Sequence, residues 1–136
     1  MNKQKILQLK KGMQKKGIDV LIVSNPKSIN KLTGLKVKGT GIKGISEPGA
    51  LFLLVNTTKN VVLCSKNPKL DGWMFSELPT NLDGVLLSSA IKKLVFKSEN
   101  LAFEEDSFLY KDLKCIKSQL RCKSTDASGL VEETLK

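Results

Sequence analysis

Residues 17–34, GIDVLIVSNPKSINKLTG, decide the fold. Ile18, Val20, Leu21, Ile22 and Val23 form a nearly continuous apolar run, the pattern of a strand covered on both faces. Asn25 fits a helix N-cap and Pro26 the first helical position. The helix predicted over 26–33 closes at Gly34. One short stretch thus reads as strand, Asn-Pro turn, helix and glycine stop.

Upstream, residues 3–16 are predicted to be helical. Ile6, Leu9 and Met13 form one narrow apolar stripe, and Lys3, Lys10, Lys11 and Lys15 lie off it. Gly17 then ends the helix as a left-handed cap. Downstream, residues 35–49 hold four glycines, three lysines and a proline. With no apolar period, 34–49 is read as a long loop, of a length that compact domains seldom carry without a use. Residues 50–55 and 61–64 are predicted strands, joined by a hairpin turn over 56–60. A short helix is expected after Pro68, broken near Gly72, and a turn over 79–84. A short strand is expected at Val85–Leu87. Ser88 or Ser89 is expected to cap a helix through Lys97 that buries Ala90, Ile91, Leu94 and Val95. Leu101–Phe103 reads as a strand. Ser107 is expected to cap a helix to about Leu120, with Leu109, Leu113, Ile116 and Leu120 as its stripe. A strand over 121–124 follows, and a last helix begins at Ser128. Helices and strands alternating in this way give an α/β domain, a mixed sheet with helices on both faces.

Composition narrows the chemistry. A chain of 136 residues suits one domain. It has no apolar run long enough to span a membrane and no apolar segment of a leader at its lysine-rich start. Three scattered cysteines, Cys64, Cys115 and Cys122, fit free thiols in a reducing cytoplasm. Histidine is absent altogether, which excludes a histidine base, a Ser-His or Cys-His pair and a histidine metal ligand. The net charge of +10 is uneven: residues 1–43 hold eleven lysines and one acid, Asp19, and the remainder sums to zero. Such a front is either a basic patch for nucleic acid or another acidic surface, or a solvated helix face. No aromatic residue precedes Phe52 to stack on a base, which points away from nucleic acid.

Two local patterns could carry chemistry. Glu104-Glu105-Asp106 stands at a strand end, where paired carboxylates can hold magnesium or work as acid and base. Successive residues point to alternate faces, so at most two of the three converge. The triplet is read instead as a strand-to-helix junction whose carboxylates face the positive end of the next helix. The glycines between Gly34 and Gly49 match no phosphate-binding spacing. Cys115 lies among Lys111, Asp112 and Lys114 off its helix stripe, without a partner base.

The stretch 17–34 resembles the opening of the N-terminal domain of the creatinase/prolidase/aminopeptidase P family of Xaa-Pro metallopeptidases. Leu101–Asp106 (LAFEED) and Thr125–Glu133 (TDASGLVEE) resemble that family's "(I/L)GFEED" strand and "DASGLVEELR" segment. Relatives typically read "YLTGF" around Gly34, where this chain carries Lys31 and Leu35 in place of the two aromatics. Asp71-Gly72-Trp73 resembles their "DGRY" stretch. The resemblance implies a ribonuclease-H-like sheet of five or six strands over residues 1–127. Residues 128–136 would then start a linker helix to a C-terminal metallopeptidase domain. In that domain two Asp, one His and two Glu would hold two divalent ions (Mn, Co or Zn), so none of the catalyst or metal falls in these residues. The implied role is a non-catalytic one, in oligomerisation and in shaping the substrate entrance. Leu35, Lys36, Lys38 and Trp73 are the expected surface for it. The implied partners are the catalytic domain, a second subunit in a homodimer or homotetramer, and proline-containing peptides. The alternative is a stand-alone protein- or peptide-binding module of the same fold.

Overall fold

The computed structural model describes residues 2–37, 45, 50–96, 99–121 and 123–136. Helix α1 (Lys3–Lys15) starts where the Asn2 side chain accepts the Lys5 N–H at 3.1 Å. It buries Ile6, Leu9 and Met13 and gives way to Gly17 at φ +69°, a left-handed turn as expected. Strand β1 (Val20–Val23) is buried at every position. Helix α2 (Pro26–Thr33) begins with the Asn25 cap and ends at Gly34, φ +81°. Strands β2 (Phe52–Asn56) and β3 (Asn60–Cys64) form the hairpin, whose turn is held by the Asn56 carboxamide oxygen accepting the Thr58 and Lys59 N–H groups.

Strand β4 (Met74–Glu77), helix α3 (Gly84–Lys92), strand β5 (Leu101–Phe103), helix α4 (Tyr110–Leu120), strand β6 (Ser124–Asp126) and helix α5 (Ser128–Thr134) complete the chain. The six strands form one mixed sheet in the order β4-β3-β2-β1-β5-β6. β2 runs antiparallel to β1 and β3, while β4 runs parallel to β3. β5 runs parallel to both β1 and β6. The period of two divides the side chains between two cores. Leu21, Val23, Leu53, Val55, Val62 and Ala102 pack with α1, α2 and α5. Val20, Ile22, Phe52, Leu54, Val61, Leu63, Leu101 and Phe103 pack with Leu87 and Ile91 of α3 and Leu113 and Ile116 of α4. A six-stranded α/β sheet with helices on both faces is the expected architecture.

Five local expectations are corrected. After Pro68 there is no helix: Lys69 and Gly72 adopt φ +55° and +80°, which no α-helix tolerates, and the chain then extends into β4. Val85–Leu87 is helix rather than strand, because Asp83 caps α3 through its carboxylate and the Leu86 N–H at 2.8 Å. Helix α3 therefore starts before Ser88 and stops at Lys92, with Leu94 and Val95 packed beyond its end; Lys97 lies outside the described residues. Ser107 caps nothing. It sits in a single 3₁₀ turn, Glu105–Ser107, and donates its hydroxyl to the Glu104 carbonyl at 2.8 Å, so α4 begins three residues later. The last strand lies at Ser124–Asp126 rather than 121–124, because Arg121 takes the left-handed cap of α4 at φ +51°.

Helix α5 packs on α1. Leu130 and Val131 are buried, and Lys5 Nζ donates to the Thr134 carbonyl at 2.9 Å. Among the described residues, no helix is long and apolar enough to cross a membrane.

Candidate functional site

The pairing of Val20 with Leu101 and of Ile22 with Phe103 brings the C-terminal ends of β1 and β5 together. The two chains leave the sheet there, one into α2 and the other into the acidic triplet. Phe103 points toward α3 and α4, so the next residue, Glu104, points to the opposite face, under the start of α2. Its side chain is only 4% exposed. One carboxylate oxygen, Oε1, accepts the Ser24 and Asn25 N–H groups at 2.9 and 3.0 Å. The other, Oε2, accepts the Ser28 hydroxyl at 2.9 Å. The negative side chain thus fills the positive end of α2 from another strand. Burial raises its pKa above the usual carboxylate range. The Asn25 N–H, the Ser28 hydroxyl and the Ser24 N–H pull the other way, and the nearby Asp106 charge adds to the rise. The Ser24 and Ser107 hydroxyls also hydrogen-bond across the junction.

A second carboxylate ties β6 to the same place. Asp126 Oδ1 accepts the Ser128 N–H at 3.0 Å, the Ser128 hydroxyl at 2.7 Å and the Glu105 N–H at 3.3 Å. Burial alone would raise its pKa. Those three donors and the Lys117 charge outweigh it and hold the carboxyl below its ordinary value. Lys117 pairs directly with Glu105 at 2.9 Å, and the Asp106 N–H donates to Ser128 Oγ at 3.1 Å. Between these ties lies a cleft of about 190 Å³, walled by Lys27 and Lys31, Asp106 and Ser107, and Ser128 and Glu132.

This geometry gives the triplet its role. Each carboxylate oxygen of Glu104 faces donors, and Glu105 is held by Lys117, so the arrangement is that of a junction. The junction serves α2 through Glu104, rather than α4 as the sequence suggested. Two divalent ions held by Asp, Asp, His, Glu and Glu do not fit these residues, since the chain has no histidine. Among the described residues, no group of three or more His, Cys, Asp or Glu side chains is arranged so that it could hold a metal ion. Cys64 and Cys115 are free thiols, and Cys115 packs close to the start of α3.

The expected entrance residues are distributed as follows. Leu35 and Trp73 are both half-buried against the core shared by α1, α2 and α5. Lys36, next to Leu35, is exposed. Lys38 lies outside the described residues, as do 39–44 and 46–49. Sequence reasoning missed Ile45, which is buried in the opposite core and donates its N–H to Asp112 at 3.2 Å. Two isoleucines, Ile42 and Ile45, among glycines and lysines are too few to carry a period that would reveal it. Glu104 was visible within the triplet, and strand alternation from Phe103 is the signal that singles it out.

The model of the creatinase/prolidase N-terminal domain family matches residues 5–134. No curated protein sequence matches the chain. Among solved structures, the creatinase/prolidase N-terminal domain of an X-Pro dipeptidase from Streptococcus pyogenes superposes with a TM-score of 0.74 at 16% identity, covering 97% of this chain and 99% of that one. The N-terminal domain of the cytoplasmic peptidase PepQ from Mycobacterium tuberculosis gives 0.69 at 17% identity, covering 96% and 97%. An Xaa-Pro dipeptidase from Bacillus anthracis gives 0.69 at 20% identity, covering 96% of this chain. The present chain spans 34%, about a third, of that dipeptidase. At these identities the likenesses establish the fold, and the match along nearly the whole sequence establishes the family: the chain belongs to the creatinase/prolidase N-terminal domain family.

Proposed function

We propose that this chain serves as the non-catalytic N-terminal domain of an Xaa-Pro dipeptidase or aminopeptidase. The observation that carries the reading is the family match over residues 5–134, in a fold that makes up about a third of the Bacillus anthracis Xaa-Pro dipeptidase. In this reading α5 starts the linker to a catalytic domain, where two divalent ions would be bound. The domain leans over the catalytic domain of its own or a second subunit and narrows the way in. Its working surface is Leu35, Lys36, Lys38 and Trp73. The Glu104 junction supports that surface by fixing α2, the helix that leads into it. Lys36 and Lys38 would attract the carboxylate of an incoming proline-containing peptide. The location that accompanies this reading is the cytoplasm, in keeping with two free thiols.

The test is kinetic. Residues 36–48 are deleted in the full-length peptidase, and kcat/KM is measured on X-Pro dipeptides and on longer X-Pro peptides. The ratio between the two substrate classes is expected to change. An unchanged ratio in a folded, active enzyme rejects the entrance role.

A further inference from the structure

Helix α1 carries five lysines, with a sixth, Lys16, at its C-terminal cap, and no acidic residue, so it has no internal partner for any of them. Lys11 and Lys15 stand one turn apart on the same face and repel each other. The one ion pair among the described residues, Lys117 with Glu105, is elsewhere. Lys5 alone has a partial answer, in the carbonyls at the end of α5. Burial lowers the pKa of Lys10.

Between α1 and α5 runs a groove of about 410 Å³. Lys5, Lys11, Lys15 and Lys16 surround it, against a single acid, Glu133. Its floor is Gly12 and Leu130, packed so closely that a side-chain carbon added at Gly12 would lie 2.6 Å from the Leu130 methyl. We propose that this groove is a docking site for an acidic polypeptide segment. Charge complementarity selects the partner's sign, because the positive excess of the whole chain falls in residues 1–43. Polypeptide is favoured over nucleic acid by the groove's other groups. Glu133 and the Gln8 carboxamide offer acceptors to peptide N–H groups, which a phosphate backbone lacks. The groove also has no aromatic side chain for a base and no arginine for a bidentate phosphate contact. The inference stands apart from the peptidase reading and uses only the 136-residue chain.

The experiment is fluorescence anisotropy of the chain with a labelled glutamate oligomer, and separately with a labelled thymidylate oligomer of equal charge, at low and at physiological salt. The glutamate oligomer is expected to bind more tightly than thymidylate and to weaken as salt rises. Lys11→Glu/Lys15→Glu is expected to lower its affinity by about tenfold or more. Lys92→Glu/Lys93→Glu makes the same change in net charge at α3, on the opposite face of the sheet, and is expected to leave affinity within about twofold. Should the first variant fail to fold, Lys11→Gln/Lys15→Gln is compared with Lys92→Gln/Lys93→Gln in the same way. Absence of binding at low salt, tighter binding of thymidylate, or equal losses in the two variants overturns the proposal.

Discussion

Replacing Glu104 with alanine removes the acceptor for the Ser24 N–H, the Asn25 N–H and the Ser28 hydroxyl at once. A buried donor left without a partner costs about 1–3 kcal/mol. The two backbone donors are part-buried and recover some water, whereas the Ser28 hydroxyl is buried. Taking about 1 kcal/mol for each of the former and about 2 for the latter gives a loss of about 4 kcal/mol. Urea unfolding followed by circular dichroism would report it as a midpoint lower by about 2 M, at a slope near 2 kcal/mol/M. Glu104→Gln keeps a carbonyl oxygen for both backbone donors, and its amide faces a Ser28 hydroxyl able to turn and accept. That variant should stay within about 1 kcal/mol of the parent. pH separates charge from shape. The folded carboxyl is raised above its unfolded value, which is about 4.3. Its contribution is therefore fully present below that value and is lost as pH rises through the folded one. Glu104→Gln should remove this part of the pH dependence. A loss below about 1 kcal/mol in Glu104→Ala would mean that water serves these donors, and the junction would not be what holds α2.

Other consequences are more local. A methyl group at Gly84 would lie 2.7 Å from Cys115 Sγ and 3.0 Å from its Cβ, so Gly84→Ala should cost about 1–3 kcal/mol. Adding Cys115→Ala should return about half of that loss in a double-mutant cycle; independent, additive losses would refute the contact. Asp83→Ala should lower stability by about 1 kcal/mol through loss of the α3 cap, with Asp83→Asn close to neutral. Asp126 titrates below its ordinary value, so its contribution is present above the unfolded pKa and lost as pH falls through the folded one. Asp126→Asn should accordingly make the acid limb of a stability profile shallower, and an unaltered limb would show that its donors do not bind the charged form.

The parts of the fold that were legible in the sequence are those whose signals are local. Val20–Val23 announces a strand buried on both faces, and Asn25, Pro26 and Gly34 punctuate α2 within a dozen residues. Strand β4 was hidden because its four residues gain their place only by pairing with β3, while Pro68 and Gly72 nearby suggest a broken helix. Asp83-Gly84 was ambiguous for a different reason. The same dipeptide makes a tight turn or a capped helix start, and the choice depends on how closely α3 must approach Cys115. At the junction, the sequence displayed three acids in a row but not which of them turns inward. The partners of Glu104 lie about eighty residues away at Ser24 and Asn25, a contact no local pattern encodes. Leu35 and Trp73 were singled out for an entrance surface, and the structure places both half-buried against one core.

The most direct test of the central claim, that this domain belongs to an Xaa-Pro metallopeptidase, is to read the coding sequence beyond the codon for Lys136. The account predicts a continuing frame with an Asp, Asp, His, Glu and Glu series able to hold two divalent ions. A stop codon immediately after Lys136 contradicts it, and leaves a stand-alone binding module of the same fold.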